Sequence, residues 1–114
     1  MDLEEIKKTL TKFADERNWQ RFHSPKNLAM ALSVEAAELL ELFQWLSEAE
    51  SETLGEKDRE RATQELADIQ IYLIRLADKL KIDIEQAVLD KMRINAEKYP
   101  VDLSRNNATK YNRR

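Results

Sequence analysis

The stretch Asn27-Leu-Ala-Met-Ala-Leu-Ser-Val-Glu-Ala-Ala-Glu-Leu-Leu-Glu-Leu-Phe-Gln-Trp-Leu46 is almost continuously apolar. It is too rich in Ala, Leu and Met to favour a strand, and it is long enough for several helical turns. A helix apolar on nearly every side is expected to be buried. Glu35 and Glu38 interrupt it, one turn apart along the axis and about 60° apart around it. Carboxylates are rarely buried unless they are paired or hold a metal. This pair therefore needs a chemical reason.

A second stretch repeats the pattern. Glu65-Leu-Ala-Asp68 opens the apolar run Ile69-Gln-Ile-Tyr-Leu-Ile-Arg-Leu-Ala77, and 26 residues separate Glu38 from Glu65. That is enough chain for a loop and a reversal, so two antiparallel helices can bring four carboxylates to one height. Four anions at low dielectric repel strongly, and a divalent cation is their natural counter-charge. An all-oxygen donor set points to Mg²⁺, with Mn²⁺ as a substitute, rather than to zinc.

Two readings compete for these acids. Each acid taken alone fits a solvated helix edge, and Glu41, which leads toward a polar segment, is read that way. The two pairs fit it less well. Both sit in apolar helices, and no Lys or Arg occurs between Lys26 and Lys57 to neutralise the first. A di-iron carboxylate bundle uses Glu-x-x-His pairs, but the single histidine, His23, lies outside both acidic pairs. With no cysteine, no Ser–His arrangement and one glycine, neither nucleophilic catalysis nor a Gly-rich phosphate loop has material to build on.

The remaining chain reads as helices joined by short links. One glycine and two prolines in 114 residues leave little for β-turns, so the class is all-α. Asp2, with Glu5 three residues on, caps a first amphipathic helix reaching about Arg17. Ser24 and Pro25 start the central helix as N-cap and N1, which runs to about Leu46. Ser47 to Asp58 is a polar connection in which Ser47 and Glu50 cap one short turn. A third helix follows from about Asp58 to Leu80, placing Glu65, Asp68 and Tyr72 on one face. Asp83 and Gln86 cap the fourth, which carries Lys91 and Asn95 and stops at Tyr99-Pro100. The expected fold is a four-helix bundle over residues 1–100, followed by a polar, basic and irregular tail over 101–114.

Between the first two helices lies Asn18-Trp-Gln-Arg-Phe-His23. Two aromatics and a histidine in six residues form either a plug between helices, the commoner use and the one residue physics favours, or a wall for a planar ligand. Net charge is −3, which argues against nucleic acid as a partner. The absence of cysteine fits a reducing cytoplasm. The acidic N-terminus lacks the features of a signal peptide, and no uncharged apolar run is long enough to span a membrane.

Several ordered motifs together resemble a known family. Glu35-x-x-Glu38 followed by Glu65-x-x-Asp68 resembles the MazG-like all-α nucleoside triphosphate pyrophosphohydrolases. The runs Phe13-Ala-x-Glu-Arg-x-Trp19, Phe22-His-x-Pro-x-Asn-Leu28 and Glu38-Leu-x-Glu-Leu-Phe-Gln-Trp45 are similar to the dCTP pyrophosphatase group of that superfamily. So are Glu65-Leu-x-Asp-x-x-Ile-Tyr-Leu73 and Lys91-Met-x-Ile-Asn95 with Tyr99-Pro100.

The resemblance implies that Glu35, Glu38, Glu65 and Asp68 hold Mg²⁺. One carboxylate of the four is expected to orient or deprotonate the attacking water, Glu38 as first choice and Glu35 as second. The nucleotide pocket that the resemblance implies comprises Trp19, Gln20, Arg21, Phe22, His23, Trp45 and Tyr72, with Lys91 and Asn95 near phosphates or base. This turns the aromatic link from plug to wall. The implied reaction hydrolyses NTPs or dNTPs, dCTP-like pyrimidines favoured, to the monophosphate and pyrophosphate, cleansing the nucleotide pool. Leu10 stands where the dCTP enzymes carry a substrate-contacting histidine, so strict cytosine preference does not carry over.

Two nearly all-apolar helices in so small a chain leave apolar surface over, which closed symmetric assemblies usually cover. The resembling family also forms oligomers, so a homotetramer built as a dimer of dimers is expected. The reading from a different class is a non-catalytic helical interaction module in which the acids bind only a structural ion.

Overall fold

The Asp2 carboxylate accepts the Glu5 amide at 3.1 Å and opens α1, Leu3–Glu16. In the computed structural model, which describes residues 1–105, every long helix except one starts on a side-chain cap of this kind. Ser24 accepts from the Asn27 amide, with Pro25 at N1, to start α2, Pro25–Phe43. Ser47 and Glu50 form a complete capping box on the short α3, Glu48–Glu52. Asp83 accepts from the Gln86 amide to open α5, Ile84–Lys98. The exception is α4, Glu56–Lys79, whose N-cap is Gly55. A short turn of α6, Val101–Ser104, follows Pro100. Among the described residues there is no strand. The all-α class with four long helices is as expected.

The boundaries differ from expectation by up to three residues. The central helix ends at Phe43 rather than Leu46, and α4 begins at Glu56 rather than Asp58. The tail opens with a helical turn where an irregular segment is expected. Pro100 at φ −62° presets the entry to that turn, as proline does. Lys110, Arg113 and Arg114 of the basic tail lie outside the described residues.

By compactness the chain divides into two units, Met1–Lys81 and Ile82–Arg114. In the first, α2 packs along α4 and α1 packs against α4. The α2–α4 pair is antiparallel. Arg61 reaches the Glu41 carboxylate at 3.8 Å and the Glu38 carbonyl at 3.4 Å, while Glu65, one turn further on, meets Glu35 and Glu38. Among the described residues the buried apolar ones are Ala14, Leu28, Leu42, Ala62, Ile74 and Ala77, of which Leu28 and Ile74 are the largest with almost no exposure. Burying a Leu or Ile side chain in this way contributes about 1.5–3 kcal/mol.

Within one chain the central helix is not buried all round, and the left-over apolar surface expected from the sequence is present. Met30, Val34 and Leu40 on α2 are more than half exposed. One helix can be lined on only part of its circumference by the neighbours this chain supplies. In the second unit, α5 also leaves Val88, Leu89 and Met92 at least half exposed.

Among the described residues two non-glycine residues adopt positive φ, Asn18 at 54° and Lys81 at 59°. Each follows the C-cap of a helix, where a left-handed residue ends the helical hydrogen bonding. Asn tolerates that region well; Lys does so at some cost.

Candidate active site

Antiparallel packing of α2 on α4 brings carboxylate oxygens of Glu35, Glu38 and Glu65 within 4.8 Å of one another. All three residues are half-buried, whereas Asp68, one turn beyond Glu65, is exposed. Asp68 lies outside this tight trio but close enough for its charge to act on Glu35. Three of the four expected acids thus converge, and the fourth borders them. Glu41, read as a solvated edge, is exposed and pairs with Arg61.

The trio is electrostatically strained. The Glu35 carboxyl is pushed up to about 7, first by a hydrogen bond shared with Glu65. Burial then adds to it, followed by the charges of Glu38, Glu65 and Asp68. A proton therefore substitutes for a counter-charge between Glu35 and Glu65. Oε2 of Glu65 is buried without a hydrogen-bond donor, a costly state for a carboxylate oxygen. Clustered hard oxygens, one lacking any partner, fit a divalent cation.

A cavity of about 260 Å³ adjoins the acids. It is lined by Thr9, Leu10 and Phe13 of α1, by Trp19 and His23 of the link, and by Asp68, Ile71, Tyr72 and Arg75 of α4. Asp68 borders both the cavity and the acids. Tyr72 bridges them electrostatically: burial raises its hydroxyl first, then the charges of Glu35 and Asp68, so it stays protonated and able to donate. The aromatic wall is built edge to face. The Phe13 and Trp19 rings lie 5.6 Å apart at 70°, and Trp19 and His23 lie 6.2 Å apart at 63°. The Arg17 guanidinium lies over the Phe13 ring at 3.6 Å.

Of the residues expected in a substrate pocket, Trp19, His23 and Tyr72 line this cavity. Gln20 stands behind it, accepting from Arg75 at 3.0 Å and Lys79 at 2.6 Å while donating to Asp15 at 2.7 Å. Arg21 lies over the exposed Phe22 ring at 4.6 Å. Trp45 is 87% exposed and does not line the cavity. Lys91 and Asn95 are exposed on α5 of the second unit. Arg75, Phe13, Thr9 and Ile71 were not anticipated from the sequence. Arg75 had a readable signal, because Asp68, Tyr72, Arg75 and Lys79 recur at helical spacing on one face of α4.

The fold is shared with known proteins. The chain belongs to the MazG-like family, whose model matches residues 30–113. It is 46% identical over 89 residues to dCTP pyrophosphatase 1 of Homo sapiens, covering 76% of this chain and 52% of that protein. To the Bos taurus protein of the same name it is 49% identical, covering 76% of this chain and 53% of that one. The chain thus spans about half the length of these relatives. The crystal structure of a pyrophosphatase from Archaeoglobus fulgidus matches with TM-score 0.82 at 42% identity, over 88% of this chain and 94% of that one.

Proposed function

We propose that this protein hydrolyses nucleoside triphosphates to the monophosphate and pyrophosphate, with Mg²⁺ as its ion. The observation that carries the reading is the convergence of Glu35, Glu38 and Glu65 beside an aromatic cavity that shares Asp68 and Tyr72 with them. Similarity to the dCTP pyrophosphatases and to the archaeal pyrophosphatase supports the same reaction.

Glu35, Glu38, Glu65 and Asp68 would hold the ion, and Mn²⁺ would substitute. Its chemistry would be to neutralise phosphate oxygens and lower the pKa of a water. Glu38 is assigned the water: its carboxylate orients the nucleophile and takes its proton, with Glu35 the second choice. The water oxygen forms a new P–O bond, the bond between the α phosphorus and the oxygen bridging to the β phosphate breaks, and pyrophosphate leaves. Trp19, His23 and Tyr72 wall the base, and Phe22 and Trp45, exposed outside the cavity in one chain, are assigned to the same wall from the resemblance alone. Gln20 and Arg21 support that wall.

Deoxynucleotides with pyrimidine bases, dCTP among them, are the proposed substrates, and the role is cleansing the nucleotide pool. The proposed location is the cytoplasm. Among the described residues no helix is long and apolar enough to cross a membrane.

The exposed apolar residues of α2 and of α5 support a homo-oligomer, proposed as a tetramer of paired dimers. Trp45, almost fully exposed, belongs to the surface such a contact would cover.

Purified protein with a panel of NTPs and dNTPs in Mg²⁺ tests the reading. Monophosphate and pyrophosphate are the expected products. Orthophosphate release would refute the bond assignment, and no turnover of any triphosphate would refute the activity. Light scattering tests assembly: a mass of 13.4 kDa in the active sample would refute the oligomer.

A further inference from the structure

Arg75 is an unusual residue for the middle of a helix core. It is 3% exposed, and its partners among the described residues are all side chains other than carboxylates. Nη1 donates to the Thr11 hydroxyl at 3.3 Å, Nη2 donates to Gln20 Oε1 at 3.0 Å, and Nη2 also lies 3.3 Å from Nδ1 of His23. Its Nε is buried with no partner. Burying a guanidinium without a carboxylate costs several kcal/mol by order of magnitude, so the arrangement calls for a role beyond packing.

The contact with His23 has a chemical consequence. Arginine carries only donors and stays protonated. The ring nitrogen facing it must therefore accept, which makes Nδ1 the bare nitrogen and places the ring proton on Nε2. Nε2 makes no hydrogen bond to any described residue, and the ring lines the cavity. The charged groups around the ring agree with a neutral imidazole. Arg75 and Lys79 approach from α4, Asp68 borders the same cavity, and Asp15 is linked through Gln20. Burial, then Arg75 and Lys79, hold the His23 pKa below its ordinary value.

We propose that Arg75 is a positioning residue that fixes His23 as the neutral Nε2–H tautomer. The cavity wall then offers a hydrogen-bond donor and selects a base edge that presents an acceptor, a carbonyl oxygen or an unprotonated ring nitrogen. The selection of a base rests on the nucleotide reading above; the tautomer does not. Thr11, Gln20 and Lys79 serve the same end. Thr11 and Gln20 hold the guanidinium against the ring, and Gln20 is itself fixed by Lys79 and Asp15.

His23 is the only histidine in the chain, so selective ¹⁵N labelling of histidine gives the resonances of one ring. In the wild-type protein at about pH 7, Nε2 is expected protonated and Nδ1 bare. A protonated Nδ1, or a mixture of tautomers, overturns the proposal, and this measurement needs neither a variant nor a substrate. In folded Arg75→Met the tautomers should mix and the ring should titrate at higher pH. The same tautomer and titration as wild type would overturn the role of Arg75.

Should Arg75→Met fail to fold, His23→Gln and His23→Asn decide. The Gln amide nitrogen takes the place of Nε2, and the Asn amide takes that of Nδ1. With dCTP as probe, the KM of His23→Asn should exceed that of His23→Gln by about tenfold, the worth of one hydrogen bond. Equal KM values, or a better Asn variant, overturn the proposal. The expected tautomer in a protein that turns over no triphosphate would support the positioning role and count against the nucleotide reading alone.

Discussion

Replacing Glu35 by Gln should make the protein more stable without divalent metal and less stable with it. The oxygens of Glu35, Glu38 and Glu65 lie within 4.8 Å of one another. Two unit charges at that distance repel by about 1 kcal/mol in water and by about 3–4 kcal/mol at an effective dielectric of about 20. Glu35 faces two such partners, and solvent reaches all three, so the lower figures apply. The amide should then add about 2 kcal/mol of unfolding free energy at about pH 8, a rise in Tm of roughly 8 °C for a domain of this size.

The sign depends on pH. The folded-state pKa of Glu35 is raised to about 7, so the folded protein holds a proton that the unfolded chain has lost. Metal-free wild type therefore has its full stability below the ordinary carboxylate pKa and loses it as pH rises through about 7. The advantage of Glu35→Gln should vanish at about pH 4–5, where the wild-type carboxyl is already neutral. Magnesium reverses the order. At about 100 times its Kd an ion stabilises wild type by about 2.7 kcal/mol, and the variant, short of one ligand, gains much less. Thermal unfolding followed by circular dichroism, with and without Mg²⁺ across this pH range, measures all three effects. A variant less stable than wild type at every pH without metal would refute the reasoning. It would mean that the Glu35 carboxyl is held by favourable contacts rather than against its neighbours.

Glu38→Gln, Glu65→Gln and Asp68→Asn should each abolish turnover while leaving helical content unchanged, because each removes a charge at nearly constant shape. Near-normal activity in two of them would move the site elsewhere. Trp19→Ala should raise KM by about one to two orders of magnitude, since stacking a base on an aromatic face is worth roughly 1–3 kcal/mol. Unchanged KM with lost folding would make Trp19 structural. Leu28→Ala and Ile74→Ala, at the best-buried apolar positions, should each cost about 2–5 kcal/mol in chemical denaturation. A cost below about 1 kcal/mol would mean that α2 and α4 do not share a packed core.

The sequence by itself determined where most helices begin, because a cap is a local bond between residues three apart. Asp2, Ser24, Ser47 with Glu50, and Asp83 each accept the amide that their spacing assigns. It also determined the two acidic turns, since i and i+3 on a helix share a face whatever surrounds them. Helix ends were less legible. Phe43 and Leu46 both suit a helix by propensity, and the turn into α3 decides where α2 stops.

Only the tertiary structure decided which acids meet. The antiparallel register of α2 on α4 sets Glu65 against Glu35 and Glu38 and leaves Asp68 exposed at the edge of the cavity, a matter of which side chains face each other across two helices. The same holds for Arg75. In the sequence it is one cation in an apolar run, and its partners Thr11, Gln20 and His23 lie 64, 55 and 52 residues away. Composition likewise marked the central helix as apolar all round, while the single chain leaves Met30, Val34 and Leu40 exposed. Apolar periodicity records how much surface a helix has to bury, whereas the placement of its neighbours decides how much of it is covered.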